Sequence, residues 1–177
     1  MASPTPYLLE TSIVLARPLG EVFPFFENPG NLEALTPPWL NFRILTPQPI
    51  AMRAGALIDY RIRLRGLPLR WRTRISEYRP PSMFIDTQIR GPYLLWEHLH
   101  TFEPVTLPDG RPGTRCGDRV RYIPRDIPFS GGLIHRLFVR PELDRIFQYR
   151  HEQIARLLGP AVDVAAEFPA SATPVPA

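Results

Sequence analysis

The sequence predicts an α+β domain in which a curved antiparallel sheet of about seven strands wraps around a long C-terminal helix, with two short helices after the first strand. Two observations support this fold class. From residue 42 to residue 123, apolar and polar side chains alternate with a period of two, which is typical of antiparallel strands that bury one face. Before residue 159, apolar side chains recur at intervals of three and four, as in an amphipathic helix. A bent sheet covered by one helix leaves space between the two, so we expect an internal pocket.

The first strand and the helical pair lie at the N-terminal end. We expect the strand over residues 7–16 and a helix from Pro18 through residue 27, because proline suits the first helical position. Pro24 lies inside this helix and requires that it start late or bend. A second short helix is predicted over residues 31–35, with Asn28 or Asn31 as its candidate cap.

The sheet is predicted to continue with five long strands, over residues 57–64, 69–77, 83–89, 93–103 and 114–123. When successive hairpins are paired, Tyr60 faces Ile75 and Ile75 faces Ile85 on the inner face. The same assignment places Asp86 on the outer face. It also leaves Phe84 on the outer face, where a large aromatic side chain is unexpected.

The closing segment carries one charged residue on its apolar side. Pro141 divides the segment, so we expect a helix over residues 133–139, a bend, and a second helix from Pro141 to Leu158. Gly159-Pro160 is a typical stop signal. Arg150 lies in the middle of the apolar stripe formed by Leu143, Ile146, Phe147, Ile154, Leu157 and Leu158.

Three further polar side chains are predicted to point inward. His98 and His100 lie on the inner face of one strand, and Asp118 lies on the inner face of the last strand. Pairing of these strands puts one of the two histidines opposite Asp118, where Arg150 could join them from the helix. Three interpretations stay open: a structural cluster, a ligand-orienting group, or an acid–base site with His98, His100 and Asp118 as catalytic candidates. Two histidines at positions i and i+2 with one aspartate lack a recognised ligand spacing, so the sequence predicts no metal site and no cofactor.

Aromatic side chains on the inner face are either ordinary core or the lining of the pocket, and Trp39 is a further candidate for that lining. Ligand pockets combine apolar walls with a few converging polar groups, which matches this set. The predicted ligand-binding residues are Tyr60, Trp71, Trp96, His98, His100, Asp118, Tyr122, Phe147 and Arg150.

The composition argues against several classes of function. All 21 basic residues are arginine, whereas a nucleic-acid binder would also place lysine on phosphates, so no nucleic-acid partner is expected. No glycine-rich phosphate loop, G-x-S-x-G elbow or C-x-x-C motif occurs in the sequence. A less favoured interpretation is an interaction surface on the outer face of the sheet, formed by Arg61, Arg63, Arg65, Arg70, Arg72 and Arg74.

One domain is expected over residues 7–158, with disordered ends at 1–6 and 159–177. No run of about 18 apolar residues occurs, so no integral membrane association is expected. The single cysteine, Cys116, suits a reducing compartment, and the N-terminus lacks a secretory signal pattern, so we expect a cytoplasmic protein. The sequence leaves the oligomeric state open.

With these residues in place, the chain resembles the SRPBCC superfamily, the helix-grip fold of START domains, the Bet v 1 allergen and polyketide cyclases. The resemblance covers roughly residues 7–158 and rests on the β–αα–β6–α order and three stretches, SIVLARPLGEVFPFFENPGNLEALTPPWLNF, FIDTQIRGPYLLWEHLHTF and IFQYRHEQI. It looks closest to a bacterial ligand-binding branch also labelled cyclase/dehydrase. Pro141 departs from the uninterrupted closing helix that is usual in the superfamily.

The resemblance implies a hydrophobic cavity between the sheet and the long helix. A small hydrophobic or amphipathic molecule, such as a lipid, isoprenoid or polyketide, is the expected ligand. The alternative is a cyclase or dehydratase that uses the same cavity. The resemblance carries no catalytic residues over, because members of the superfamily share a fold and not a mechanism.

Overall fold

The computed structural model describes residues 5–64, 66–125 and 132–163. Within these ranges the strands are Tyr7–Leu15 (β1), Arg43–Ile44 (β2), Leu57–Leu64 (β3), Leu67–Arg79 (β4), Met83–Arg90 (β5), Tyr93–Thr106 (β6) and Pro112–Pro124 (β7). The α-helices are Leu19–Glu27 (α1), Leu32–Leu35 (α2) and Arg140–Leu158 (α3). Short 3₁₀ turns occupy Pro29–Asn31 and Pro38–Leu40, and a π-helical stretch occupies His135–Val139.

The described strands form one antiparallel sheet in the order β1-β7-β6-β5-β4-β3-β2. The sheet is open, because β1 and β2 lie at its two edges. Together with α3 and the short helices after β1, this arrangement confirms the predicted fold class. No helix in the described ranges is long and apolar enough to cross a membrane.

The first helix of the pair after β1 lies between Pro18 and Asn28. Pro18 precedes the first residue of α1, and the helix accommodates Pro24 in its interior. Neither candidate caps α2 through its side chain, because Asn28 caps the preceding 3₁₀ turn Pro29–Asn31, where its Oδ1 accepts the Gly30 N–H at 2.9 Å. The Asn31 side chain instead donates to the carbonyl of Phe25 at 2.8 Å. This pair covers one end of the sheet with the buried side chains of α1.

The β3–β4 hairpin has a different register from the predicted one. Tyr60 pairs with Trp71, not with Ile75, and Leu64 pairs with Leu67. The chain reverses in a tight turn that includes Gly66 at a φ of +82°, a conformation that glycine adopts without strain. The shift is an even number of residues, so the same side chains remain on the inner face.

The β4–β5 pairing differs in a way that changes the inner face. Ile75 pairs with Asp86 and Glu77 pairs with Ile85, which leaves Ser76 as the extra residue of a β-bulge. A second register shift lies between Arg72 and Thr73. One inserted residue exchanges the inner and outer sets of the neighbouring strand, so the predicted pairing of Ile75 with Ile85 is wrong.

The reversal brings two predicted outer residues of β5 inside. Phe84 is only 6% exposed and packs in the core with Phe102. Asp86 lies on the inner face opposite His98 of β6. The prediction that both residues lie on the outer face is therefore wrong, and the bulge at Ser76 is the reason.

The closing segment is helical on both sides of Pro141. The π-helical stretch ends where α3 begins at Arg140, and Pro141 falls in the first turn of α3, where its missing N–H is tolerated. Gly159, at a φ of +103°, ends the helix. The buried side chains of α3 are Leu143, Phe147, Arg150, Ile154 and Leu158. Leu157 was predicted to belong to the buried stripe, but it is 41% exposed and lies outside it.

The chain after α3 returns to the edge of the sheet. Ala161 bridges to Leu15, and the N–H of Val162 donates to the carbonyl of Val14 at 2.9 Å. Most of the predicted disordered ends, residues 1–4 and 164–177, and also Arg65 and residues 126–131, lie outside the described residues. The domain boundaries therefore stay a prediction.

Candidate functional site

A cavity of about 210 Å³ lies between the inner face of the sheet and α3. Apolar and aromatic side chains from α1, α2, α3 and the strands β3 to β6 line most of it. The half-buried Leu32, Leu64, Pro92 and Ile146 also line it, so the cavity approaches the protein surface on that side. The cavity exists because the sheet curves away from α3 and a single helix does not fill the gap between them.

Most of the predicted site residues lie in the cavity wall. Asp118 lies behind the two histidines, and Tyr122 belongs to a core cluster with Leu9 and Val120. Trp39 is 43% exposed and donates its Nε1–H to Glu142 at 3.0 Å. The predicted residues in the wall are Tyr60, Trp71, Trp96, His98, His100, Phe147 and Arg150.

One side of the wall is polar, and we call it the histidine cluster: Asp86, His98, His100, Asp118 and Arg150. Strand registers bring its members together, since β5 places Asp86 opposite His98 and β7 places Asp118 opposite His100. Of the two pairings left open by the sequence, His100 opposite Asp118 is therefore the one adopted. Each carboxylate lies within 3.6 Å of a nitrogen of both imidazoles.

The two imidazoles stack between the two carboxylates. Their ring centroids are 3.8 Å apart, with an angle of 37° between the planes. His98 donates its Nε2–H to Oδ1 of Asp118 at 2.8 Å, and Nε2 of His100 lies 3.0 Å from Oδ2 of Asp86. The ring of Phe84 stacks on the imidazole of His100, with ring centroids 4.2 Å apart. Asp118 is the deeper carboxylate, because its side chain is 5% exposed and that of Asp86 is 17% exposed.

Arg150 closes the cluster from α3. Its Nε donates to Oδ2 of Asp118 at 3.0 Å and its Nη2 donates to Oδ1 at 3.2 Å, a bidentate pair at 7% exposure of the arginine. The guanidinium also lies over the ring of Phe26, at 5.5 Å from its centroid. A charge on the apolar face of α3 is thus matched by a buried carboxylate of the sheet.

The cluster shifts the pKa of each group that it surrounds. Burial alone would raise the pKa of Asp118, but Arg150 and the two histidines together hold it well below its ordinary value. Burial would lower the pKa of His100, yet hydrogen bonds to Asp118 and Asp86 outweigh burial and raise it. Burial and the neighbouring His100 lower the pKa of His98 despite its bond to Asp118. Of the two imidazoles, His100 therefore takes up an extra proton more readily.

The other side of the wall is the aromatic cluster: Tyr60, Trp71, Tyr93 and Trp96. Trp71 stacks on Tyr60 with centroids 5.8 Å apart and meets Trp96 edge to face at 5.3 Å. Trp71 is 6% exposed, and its Nε1–H has no hydrogen-bond partner among the described residues. A buried indole N–H normally finds an acceptor, so the unpaired N–H of Trp71, a residue of the cavity wall, is an exception.

Sequence reasoning missed many residues of the cavity wall, and among them Phe84, Asp86 and Tyr93 belong to the two clusters or pack against them. The aromatic Phe84 on a predicted outer face was a usable signal of an inserted residue. Asp86 was missed for the same reason, since it shares the face of Phe84. Tyr93 lies at a second register irregularity, between Tyr93 and Leu95, and carried no signal of its own.

The histidine cluster also contains a group of potential metal ligands. Oxygen or nitrogen atoms of Asp86, His98 and His100 all lie within 4.8 Å of one another. The sequence predicted no metal site, because two histidines at positions i and i+2 with Asp118 lack a recognised ligand spacing and Asp86 was expected on the outer face.

Outside the cavity, the arginines of the outer face remain exposed. Arg61, Arg63, Arg70, Arg72 and Arg74 are exposed to solvent, and Arg72 pairs with Asp59 at 2.7 Å. Whether this face contacts a partner stays a hypothesis from the sequence.

Three solved structures share this architecture. A protein from Chromobacterium violaceum is 20% identical, and the match covers 89% of this chain and 99% of that one with a TM-score of 0.59. An aromatase/cyclase from Streptomyces sp. R1128 is 13% identical, with 86% and 96% covered and a TM-score of 0.58. The major latex-like protein 151 of Panax ginseng is 8% identical, with 89% and 100% covered and a TM-score of 0.61.

No family model matches the sequence, and no curated protein matches it either. The likeness is therefore one of structure: nearly the whole length of each neighbour superimposes on this chain, and the neighbours include an aromatase/cyclase and a major latex-like protein. The chain has the helix-grip fold of these structures.

Proposed function

We propose that this protein binds a small hydrophobic or amphipathic molecule in the cavity between the sheet and α3. The observation that carries the proposal is the cavity itself, about 210 Å³ with a mainly aromatic and aliphatic wall. A dry cavity of about 150 Å³ can hold benzene, so this one has room for a somewhat larger ring system. Where the cavity approaches the surface, a longer lipid, isoprenoid or polyketide can extend beyond it.

The wall supports an amphipathic ligand more than a pure hydrocarbon. Trp71 offers an unsatisfied N–H, and leaving a buried donor without a partner costs about 1–3 kcal/mol. An oxygen acceptor on the ligand would remove this cost. We therefore expect a carbonyl, hydroxyl or ether oxygen beside Trp71, with an apolar body against the rest of the aromatic cluster.

Native mass spectrometry of gently purified protein tests the proposal directly, since a mass increment lost on denaturation identifies a bound molecule. A second test titrates 8-anilinonaphthalene-1-sulfonate into protein stripped of lipids. We expect the fluorescence of the dye to increase and saturate as it binds. Leu32→Trp, which places a larger side chain in the cavity wall, should weaken the affinity for the dye at least tenfold. Leu157→Trp is the matched control, because Leu157 is 41% exposed and lies outside the cavity wall.

The proposal fails if no small molecule co-purifies and the dye binds both variants as it binds the wild type. That result would mean that the dye sits on the surface and that the cavity stays empty.

The alternative function is a cyclase or dehydratase acting on an aromatic or polyketide precursor. The observation in its favour is His100, which lines the cavity and has a pKa raised by two carboxylates, so it carries a proton that it can donate to a substrate oxygen. Structural similarity to an aromatase/cyclase is compatible with this role but does not establish it. If the protein is an enzyme, His98→Ala and His100→Ala abolish turnover and leave ligand binding mostly intact. If turnover survives both changes, these histidines are not the acid–base groups.

The expected cytoplasmic location is part of the proposal. The only cysteine, Cys116, is buried and has a pKa raised by burial to about 12, so it is an unreactive thiol. Fractionation of the native host would test this expectation.

A further inference from the structure

The hydrogen bonds of the histidine cluster direct two imidazole nitrogens toward one carboxylate. His98 donates its Nε2–H to Asp118, whose carboxylate can only accept. In the neutral ring, Nδ1 of His98 then carries a lone pair, and this atom lies 3.6 Å from Oδ2 of Asp86. Nε2 of His100 lies 3.0 Å from the same oxygen, to which it donates a hydrogen bond while it is protonated. When this proton leaves, three electron-pair donors converge beside Asp86.

The geometry points to a binding site for a divalent transition-metal ion, with Asp86 Oδ2, His98 Nδ1 and His100 Nε2 as its ligands. Zinc bonds to histidine nitrogen and carboxylate oxygen at about 2.0–2.2 Å, so ligand atoms of a tetrahedral site lie about 3.4 Å apart. The observed separations of 3.0 and 3.6 Å bracket that value. Two imidazoles and one carboxylate also suit Fe²⁺ or Co²⁺.

The surroundings match what metal-binding histidines require. A ligating histidine usually donates its other N–H to a carboxylate, which fixes its tautomer and orientation. Asp118 Oδ1 lies 2.8 Å from Nε2 of His98 and 3.1 Å from Nδ1 of His100, so this one buried carboxylate serves both rings. Arg150 in turn holds Asp118 in place. When the metal replaces the proton on Nε2 of His100, the Nδ1–H can still donate to Asp118.

The site is accessible and incomplete. Asp86, His98 and His100 all line the cavity, which provides a route for the ion. Three protein ligands leave at least one coordination position of zinc open, as in catalytic rather than structural sites. A divalent ion would also leave one net positive charge in the cluster. The fourth ligand is therefore expected to be a water or an anionic oxygen of the cavity ligand.

Metal binding is measured on tag-free protein stripped with a chelator and then titrated with Zn²⁺, in competition with a chromophoric chelator. We expect one Zn²⁺ per chain with a Kd below about 1 μM, and an increase in Tm that follows from binding to the folded state. Co²⁺ should give the visible absorption of a low-symmetry site that contains nitrogen ligands. Absence of stoichiometric binding by the wild-type protein would overturn the inference.

Variants locate the ion. Asp86→Asn removes the anionic ligand at almost constant side-chain volume and should weaken Zn²⁺ binding at least about 100-fold. This loss of affinity exceeds the 10- to 100-fold that is typical when a residue that only hydrogen-bonds to a metal ligand is replaced. His98→Gln should do the same if Asp86→Asn does not fold. Asp59→Asn, an exposed carboxylate on the outer face, is the matched control and should bind Zn²⁺ like the wild type. Wild-type affinity in folded Asp86→Asn would place the ion elsewhere and reject this site. The test does not depend on which organic molecule fills the cavity.

Discussion

The two sides of the cavity wall differ in whether their polar groups have partners within the protein. In the histidine cluster every imidazole nitrogen lies within 3.6 Å of a carboxylate oxygen, and Arg150 makes two hydrogen bonds to Asp118. In the aromatic cluster the rings pack closely, yet the Nε1–H of Trp71 has no partner in the described protein. On the function proposed above, we expect the first side to contribute mainly to the stability of the fold and the second side mainly to the affinity for the organic ligand. Substitutions on the two sides should therefore affect different properties.

The largest effect is expected for Arg150→Met. Removing the guanidinium leaves the carboxylate of Asp118 buried without its strongest partner, which costs about 3–5 kcal/mol in comparable buried pairs. Urea unfolding monitored by circular dichroism should show a lower free energy of unfolding by that amount. Arg156→Met on the exposed face of the same helix is the control and should change stability by no more than about 0.5 kcal/mol.

A double-variant cycle sharpens the result. If Arg150 acts through Asp118, Asp118→Asn should cost less in the Arg150→Met background than in the wild type, because the unpaired charge is already lost. Additive costs would mean that the pair is not the origin of the stability.

A smaller effect, on affinity and not on stability, is expected for Trp71→Phe. The change removes a donor that has no protein partner, so the apo protein should lose little stability. Binding of 2-acetylnaphthalene should weaken about tenfold, since one hydrogen bond contributes about 1–1.5 kcal/mol and 1.4 kcal/mol is a factor of ten. Binding of 2-ethylnaphthalene, which lacks the acceptor, should change by less than threefold.

Trp39→Phe is the matched control for this substitution, because the indole of Trp39 is exposed and already bonds Glu142. Both naphthalenes should bind this variant as they bind the wild type. Equal weakening of the two ligands by Trp71→Phe would show that only ring packing was lost.

The smallest effect is a dependence of stability on pH in metal-free buffer. The pKa of His100 is raised in the folded state, so its stabilisation is complete below the unfolded value of 6.5 and is lost as pH rises through the folded pKa. The pKa values of His98 and His151 are lowered, mainly by burial, so folding must keep them neutral and stability falls as pH drops below 6.5. Stability should therefore be greatest near pH 6.5.

Urea unfolding between pH 5 and pH 8.5 checks this profile. His100→Gln should remove the decline above pH 6.5 and leave the decline below it. A decline above pH 6.5 that persists in His100→Gln would assign it to another group.

How far the sequence predicts the site depends on the strand considered. His98, His100 and Asp118 lie on strands whose alternation is regular where they sit, so their common inner face followed from period two alone. Arg150 was evident because a charge interrupts a helical apolar stripe. Asp86 was not predictable in this way, since an inserted residue in β4 at Ser76 reverses the pairing with β5. Alternation within a single strand contains no information on such an insertion in its neighbour.

The sequence alone therefore determined the order of elements, the curved sheet under a C-terminal helix, and the inward direction of the seven predicted site residues that line the cavity. Local periodicity suffices for these, because burial of one face repeats every two or every 3.6 residues. Tertiary structure alone decided the register of β3 on β4, the inward side of β5, and the convergence of Asp86 with the two histidines. These features depend on turn geometry and bulges, whose free energy is set by contacts between segments that are distant in the chain.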